Sequence, residues 1–251
     1  MAGMGWDATV RAHRAHCLAG LAVMLLSNLA CATKPPEPPL PHISSVLVAP
    51  MNFNQDLPEK LDAGAPVVHE LLSGLIYQRD IRVSSVPFEE FHDIWIAEAK
   101  AVGTLYDAEG NLDPARYDEA VRSLVAAYRK RGAEFDVLLI PYLAVRPGSV
   151  VGQSVKWDGT TQRLPLEYRN RDRAHLEARR GLQVGCTSLH VLAYDAEGKR
   201  LFERYGGLEV MQRMQIDENG WRWASRDDLF RKRTDLEEGV AIALEPLLEN
   251  E

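Results

Sequence analysis

One stretch, residues 110–148 (GNLDPARYDEAVRSLVAAYRKRGAEFDVLLIPYLAVRPG), constrains the fold more than any other part of the chain. Asp113 stands where a helix N-cap is expected, and Pro114 suits the first helical position because its missing N–H would be unpaired there anyway. The apolar side chains that follow recur at helical spacing: Tyr117, Val121, Leu124, Val125 and Tyr128. Residues 135–145 are almost continuously apolar and predict a buried strand, interrupted or ended near Pro141. A helix followed by a buried strand predicts an α/β layer.

The flanking sequence extends this pattern into one domain, residues 43–251. We expect strands at residues 44–50 and 81–86 and helices at residues 65–78 and 88–102. The later half predicts hairpins, one turning at residues 158–159 and one pairing residues 182–194 with 201–214. Ser225 and Asp228 resemble a capping box that begins a C-terminal helix. The predicted fold class is therefore mixed α+β: a mixed sheet with helices packed on it, a late β-hairpin and a C-terminal helix.

The first 31 residues have the organisation of an export signal. Arg11 and Arg14 precede an apolar run at residues 18–30, and small residues flank Cys31. The run of 13 residues is shorter than the roughly 18–20 needed to span a bilayer as a helix. Two processing routes remain open: lipidation of Cys31, as in a bacterial lipoprotein signal, or simple cleavage after Ala32. Residues 32–42 are rich in proline and predict an extended linker, which favours a tethered domain and hence lipidation.

Charge and cysteine content exclude two further classes. The formal net charge is −7 for the chain, and removal of residues 1–31 leaves 27 basic against 35 acidic residues. An acidic domain does not suit nucleic-acid binding, which depends on neutralising phosphates. Beyond Cys31 only Cys186 remains, so no internal disulfide is expected and Cys186 is interpreted as a buried structural thiol.

The order of elements resembles a known group of proteins. Three segments carry the resemblance: VLVAPMNF at residues 46–53, GAEFDVLLIPYL at residues 132–143 and LHVLAYDAEGKRLFERYGG at residues 189–207. The chain resembles envelope lipoproteins such as the curli secretion channel lipoprotein, the amino-terminal domain of the Tol-system propeller protein and lipoprotein activators of peptidoglycan synthases. The resemblance implies a lipid-anchored, periplasm-facing protein of the bacterial cell envelope, at the outer membrane; the alternative is a soluble periplasmic protein.

The same resemblance implies a binding or assembly role without chemistry. The expected partners are the membrane, through the lipid anchor, and an envelope protein or peptidoglycan, with oligomerisation possible. Two alternatives stay open: an exported hydrolase or metal-dependent enzyme, and a subunit of an oligomeric envelope ring. We predict no cofactor and no catalytic residue, since the chain lacks a G-x-S-x-G elbow, a phosphate-binding P-loop and a G-x-G-x-x-G fingerprint.

Two local patterns contain residue types that could bind a metal or act as an acid or base. Glu89, His92 and Asp93 share one helix face at i, i+3 and i+4 and form a weak metal candidate, and a solvated polar helix face is the favoured explanation of the same residues. His190 alternates with two apolar residues on a strand and is interpreted as a hydrogen-bonded structural histidine rather than a general base.

The preferred binding surface combines two segments. The apparent loop NGWRWAS brings Trp221, Arg222 and Trp223 together, and tryptophan and arginine are enriched at protein interfaces. An arginine-rich run contributes Arg169, Arg171 and Arg173, which suit anionic glycans, head groups or an acidic partner, although interspersed acids also predict a solvated loop.

Overall fold

The structure, a computed structural model, describes residues 40–54, 57–168, 181–217 and 220–249. The predicted signal with Cys31, most of the linker, and Arg169, Arg171 and Arg173 lie outside these ranges. The helices are α1 (Glu59–Asp62), α2 (Ala65–Tyr77), α3 (Phe88–Val102), α4 (Pro114–Lys130), α5 (Arg233–Ala243) and α6 (Glu245–Leu248). The strands are β1 (Ser45–Val48), β2 (Arg82–Ser85), β3 (Val137–Val151), β4 (Ser154–Trp157), β5 (Thr160–Arg163), β6 (Leu166–Tyr168), β7 (Gln183–Asp195), β8 (Arg200–Val210), β9 (Gln212–Asp217) and β10 (Gly220–Ser225).

Two mixed sheets organise the domain, which confirms the predicted α+β class. In the larger sheet, β1 pairs in parallel with β2 and with the start of β3. Strand β7 pairs antiparallel with both β3 and β8, and the hairpin of β4 and β5 continues the sheet beyond β1. The smaller sheet has the order β10-β9-β6. Both predicted hairpins are present; at the first, Asp158 and Gly159 have φ of 38° and 80°, as a tight two-residue turn requires.

The main sheet is covered on both faces because its central strands alternate two apolar sets. Leu139 and Val191 face α2 and α5 and belong to one core cluster. Leu138 and Tyr194 point the other way, to α3 and α4, and belong to a second cluster. Strand β1 is buried at all four positions, as the continuous apolar run predicts. The result is a three-layer arrangement of helices, sheet and helices.

Strand β3 does not end at Pro141, contrary to the expectation from sequence. The carbonyl oxygen of Pro141 accepts a hydrogen bond from the N–H of Asn52, on the side of β3 that faces β1. In a strand the N and the C=O of one residue point to the same side, so the missing N–H of Pro141 also faces β1. Because β1 pairs with β3 only as far as Val48 and Leu139, no ladder bond is lost there.

The predicted ends of two helices have different outcomes. Asp113 caps α4 as expected, since its carboxylate accepts from the N–H groups of Ala115 and Arg116. The capping box at Ser225 and Asp228 is wrong, because Ser225 is the last residue of β10 and α5 begins at Arg233. Asp228 instead pairs with Arg226 at 2.9 Å.

Two further expectations about the later half need correction. The run at residues 201–214 is not one strand, because β8 ends at Val210 and β9 begins at Gln212 in the other sheet. The stretch with Trp221 and Trp223 is not a loop but the edge strand β10, which pairs antiparallel with β9. A third core cluster, which includes the buried thiol of Cys186, packs between this sheet and the far end of β3.

No helix within the described ranges has the length and apolar character needed to cross a membrane.

Strand β8 and helix α5 touch backbone to backbone through glycine. A Cβ on Gly206 would overlap the carbonyl oxygen of Gly239, and a Cβ on Gly239 would overlap the carbonyl oxygen of Gly207. Only the absence of side chains on both elements permits this approach. It seats Val240 and Leu236 of α5 in the first core cluster.

We therefore expect Gly239→Ala to lower the free energy of unfolding by at least about 2 kcal/mol, because neither backbone can yield without opening the core. Urea denaturation followed by circular dichroism measures the change. Gly74→Ala is the matched control: Gly74 lies inside α2 with nothing within 4 Å of an added Cβ. That variant should gain about 0.5–1 kcal/mol from helix propensity. Equal stability of the two variants would contradict the close contact.

Candidate functional site

Two adjoining cavities form one cleft at the carboxyl end of β1. Their volumes are about 650 and 480 Å³, a size typical of ligand sites. They share four lining residues: Asn54, Tyr106, Leu112 and Tyr117. The first cavity extends along α3, and the second extends over the middle of β3 and β7 and the first half of β8. A cleft where parallel strands end is the usual position of a site in an open α/β sheet.

The chain leaves β1 through a turn that shapes this cleft. Asn52 has φ of 51°, a left-handed conformation that asparagine tolerates. Its side chain accepts from the N–H of Leu143 at 2.8 Å and donates to the carbonyl of Leu143 at 3.2 Å. The amide thus replaces a strand partner along the edge of β3. The turn buries Phe53 in the second core cluster and places Asn54 at the cleft.

The floor of the second cavity is a row of rings across three strands. The pairing of β3 with β7 sets Tyr142 opposite His190, and the pairing of β7 with β8 sets His190 opposite Tyr205. The rings of His190 and Tyr205 are parallel, with centroids 4.0 Å apart. The hydroxyl groups of Tyr142 and Tyr117 are 2.7 Å apart and form a buried hydrogen bond.

A charged network borders this row. Arg200 donates to Asp118 from two nitrogens, at 3.1 and 2.5 Å, and to Glu203 at 2.6 Å. The other oxygen of Glu203 is 2.9 Å from Nε2 of His190. The hydroxyl of Tyr194 donates to Asp118 at 2.8 Å. The guanidinium of Arg200 is therefore held on both sides by carboxylates.

Burial sets the protonation of the uncharged groups. Loss of hydration raises the pKa of Tyr117 and of Tyr142 well above the ordinary value of 10.0, although their mutual hydrogen bond lowers that of Tyr117. Loss of hydration also lowers the pKa of His190 below 6.5, against the opposing effect of Glu203. At neutral pH these three side chains are neutral hydrogen-bonding groups.

The rim along α3 is apolar and exposed. Phe88, His92 and Ile96 recur every four residues and form one stripe on the helix, which lines the first cavity. Phe88 is 47% and Ile96 36% exposed, and the rings of Phe88 and His92 stack at 5.4 Å. Nδ1 of His92 lies 3.1 Å from the carbonyl oxygen of Phe53, which ties the stripe to the β1 turn.

The opposite rim is a short closed loop between α3 and α4. Asp107 accepts from the N–H groups of Glu109 and Asn111, at 3.0 and 2.8 Å, and these bonds lower its pKa. The loop holds Tyr106 and Leu112 side by side in a β-bridge. Both are exposed, at 57% and 46%, so two apolar side chains face solvent at the mouth of the cleft.

The weak metal candidate is not assembled. Glu89 and Asp93 are exposed on α3, whereas His92 is directed to the carbonyl of Phe53. Across the described ranges, no three side chains from histidine, cysteine, aspartate and glutamate are grouped to hold an ion. The stripe that includes His92 belongs to an apolar rim instead.

The predicted tryptophan surface lies apart from the cleft. Trp221 is 37% exposed, and its ring meets that of Trp223 edge to face at 5.8 Å. Trp223 also packs against the third core cluster, and Arg222 donates to the side chain of Gln215 at 3.1 Å. The structure thus separates these three residues from Arg200 and His190 rather than joining them in one site.

Sequence reasoning missed most of the cleft. Its interpretation of His190 as hydrogen-bonded is confirmed, but the partners Glu203 and Tyr205 were not singled out. The signal was present in LFERYGG, where Glu203 and Tyr205 alternate on the strand that follows the predicted hairpin. Tyr142 required the register of β3 and β7, which the sequence does not specify.

No protein-family model matches the chain, and a search of curated proteins found no match. The resemblance to envelope lipoproteins therefore stays a prediction.

His190 should make stability depend on pH. Its folded pKa lies below the unfolded value of 6.5, so the unfolded chain binds the proton more readily. The contribution of His190 to the free energy of unfolding should therefore be complete above about pH 6.5. It should be lost as the pH falls from about 6.5 through the folded pKa.

Urea denaturation of the wild type and of His190→Gln at pH 7.5 and 5.5 measures this contribution. His69 is partly buried and its pKa is also lowered by loss of hydration, so only the difference between the two proteins isolates His190. The variant should lose less stability than the wild type on acidification. An identical pH dependence would show that His190 is as easily protonated in the fold as in the unfolded chain.

Proposed function

We propose that this chain is a lipid-anchored lipoprotein of the bacterial envelope, and that its domain binds another envelope component in the cleft without catalysing a reaction. The observation that carries the binding role is the pairing of an exposed apolar rim with a polar, neutral floor. Tyr106 and Leu112 are exposed by 57% and 46% beside a floor of buried tyrosines. Exposed apolar side chains around a polar cavity are typical of interaction sites.

The state of the polar groups favours binding over chemistry. A catalytic tyrosine or histidine needs a pKa near the working pH, and burial moves Tyr117 and Tyr142 away from it. Glu203 is occupied by Arg200 and His190. These groups offer fixed hydrogen-bonding positions rather than a free base or nucleophile. Within the described ranges, Glu89, His92 and Asp93 are not grouped to hold an ion, so the geometry gives no support to the alternative of a metal-dependent enzyme.

The proposed compartment rests on the sequence before the domain. A basic segment, a short apolar run and Cys31 between two alanines are followed by a proline-rich spacer. A single thiol in the described domain, Cys186, is buried and free, so the fold does not depend on a disulfide. A spacer of extended proline-rich chain suits a domain held at a distance from a membrane.

The anchor is tested by Cys31→Ser. Wild-type protein should fractionate with membranes and resist extraction by salt, because a lipid chain contributes about 0.8 kcal/mol for each buried CH₂ group. The variant should shift to the soluble fraction or accumulate unprocessed. Wild-type protein that is already soluble, with a new amino terminus at Thr33, would instead support cleavage after Ala32.

The cleft is tested by placing a photo-crosslinking amino acid at Leu112 in native cells. We expect a discrete adduct, either with a protein or with material that lysozyme digestion removes. Tyr77, 73% exposed on α2 at the other face of the sheet, is the matched control position. Adducts of the same mass and yield from both positions would contradict a binding role for the cleft.

A further inference from the structure

We infer that the cleft receives a basic peptide segment of a partner protein, in which lysine or arginine side chains stand beside apolar ones. The inference rests on the proposed binding function and adds the chemical class of the ligand. Its three supports are the charge of the network that borders the floor, the charge of the rim, and the exposed aromatic and apolar side chains at the mouth of the cleft.

The charged network that borders the floor carries one net negative charge. Arg200 contacts Asp118 and Glu203, so two carboxylates surround one guanidinium. His190 and the tyrosines add no charge at neutral pH because burial lowers the pKa of His190 and raises those of Tyr117 and Tyr142. Glu203 remains 39% exposed, so a ligand in the second cavity can reach it.

An anionic ligand would meet an unfavourable site. All three guanidinium nitrogens of Arg200 already donate to Asp118 or Glu203. A phosphate or carboxylate that reached the two remaining N–H groups of Arg200 would lie beside the carboxylates of Asp118 and Glu203, and repulsion between like charges disfavours that position. A cation, in contrast, adds a partner to the network without breaking a bond.

The rim of the cleft is also negatively charged. The loop at residues 103–113 contains Asp107, Glu109 and Asp113 and no lysine or arginine. Asp113 is engaged as the cap of α4 and lies 3.7 Å from Arg116, but Asp107 and Glu109 stay on the surface. Asp62 adds a carboxylate at the first cavity. This complementarity speeds the approach of a basic segment and selects against an acidic one.

Exposed aromatic and apolar side chains at the mouth of the cleft provide the remaining contacts for a peptide. Tyr106 lines both cavities and is 57% exposed, so its ring face is open to a cationic side chain. The ring of Tyr205 already stacks on His190 and has the guanidinium of Arg146 at 4.5 Å. Phe88, Ile96 and Leu112 offer apolar contacts along the rim. Two cavities of about 650 and 480 Å³ that share a wall exceed the needs of one side chain. A peptide that places a basic residue in one cavity and an apolar residue in the next fits this arrangement.

The test is fluorescence anisotropy with the purified full chain and a fluorescein-labelled octapeptide of alternating leucine and lysine. Competing probes are the same peptide with glutamate for lysine, and the N-acetylglucosamine tetramer. We expect the lysine peptide to bind and both competitors to fail to displace it. Tyr106→Ala and Glu203→Gln should each weaken binding about tenfold, as loss of an aromatic contact or of a charge partner does. Tyr77→Ala should leave it unchanged.

Three results would overturn the inference: no binding of the lysine peptide, displacement by the tetramer, or affinity that survives both cleft variants. The last result would mean non-specific attraction to an acidic protein. Glu203→Gln also alters the network of Arg200, so Tyr106→Ala, at an exposed position, provides the variant whose fold is not at stake. An adduct at Leu112 together with failure of the peptide would reject the basic ligand and leave the binding function intact.

Discussion

The antiparallel pairing of β3 with β7 is the interaction on which the rest of the structure depends. It joins thirteen residue pairs, from Val137 with Asp195 to Ser149 with Gln183. One half of each strand is the centre of the sheet between two helical layers, and the other half extends past β1 to support the third core cluster. Because side chains alternate along a strand, one register decides which residues enter each core, and a slip by one residue would exchange them.

The same register creates the cleft. Opposite positions on neighbouring strands lie close enough for their side chains to interact, so Tyr142, His190 and Tyr205 become one row. Further along the same face of β7, Leu192 lies opposite Glu203 and Tyr194 lies opposite Arg200. One continuous face of the sheet is therefore apolar where α4 covers it and polar beyond the edge of α4. The site is a continuation of the core, which explains why its tyrosines and histidine are held neutral by burial.

Local patterns predicted the elements well and their assembly poorly. The helices at residues 65–77, 88–102 and 114–130 follow from periodicity and, for the last, from the cap at Asp113. The capping box at Ser225 failed because two residues at the correct spacing do not reveal that one ends a strand. The continuation through Pro141 depends on what lies beside it, and the row at His190 depends on register. Both features depend on pairs of residues that are far apart in sequence, and residue spacing along the chain does not predict such pairs.

The early exit of β1 explains why the cleft is open rather than filled. If β1 continued beside β3 beyond Val48, its side chains would occupy the space over Tyr142. Instead, the side chain of Asn52 satisfies both backbone groups of Leu143, so this residue on the edge of β3 is paired without a further strand. Buried backbone groups must be paired, and one amide accomplishes this in less space than a strand does. The turn that ends β1 therefore protects the sheet edge and leaves the polar end of the face accessible to a ligand.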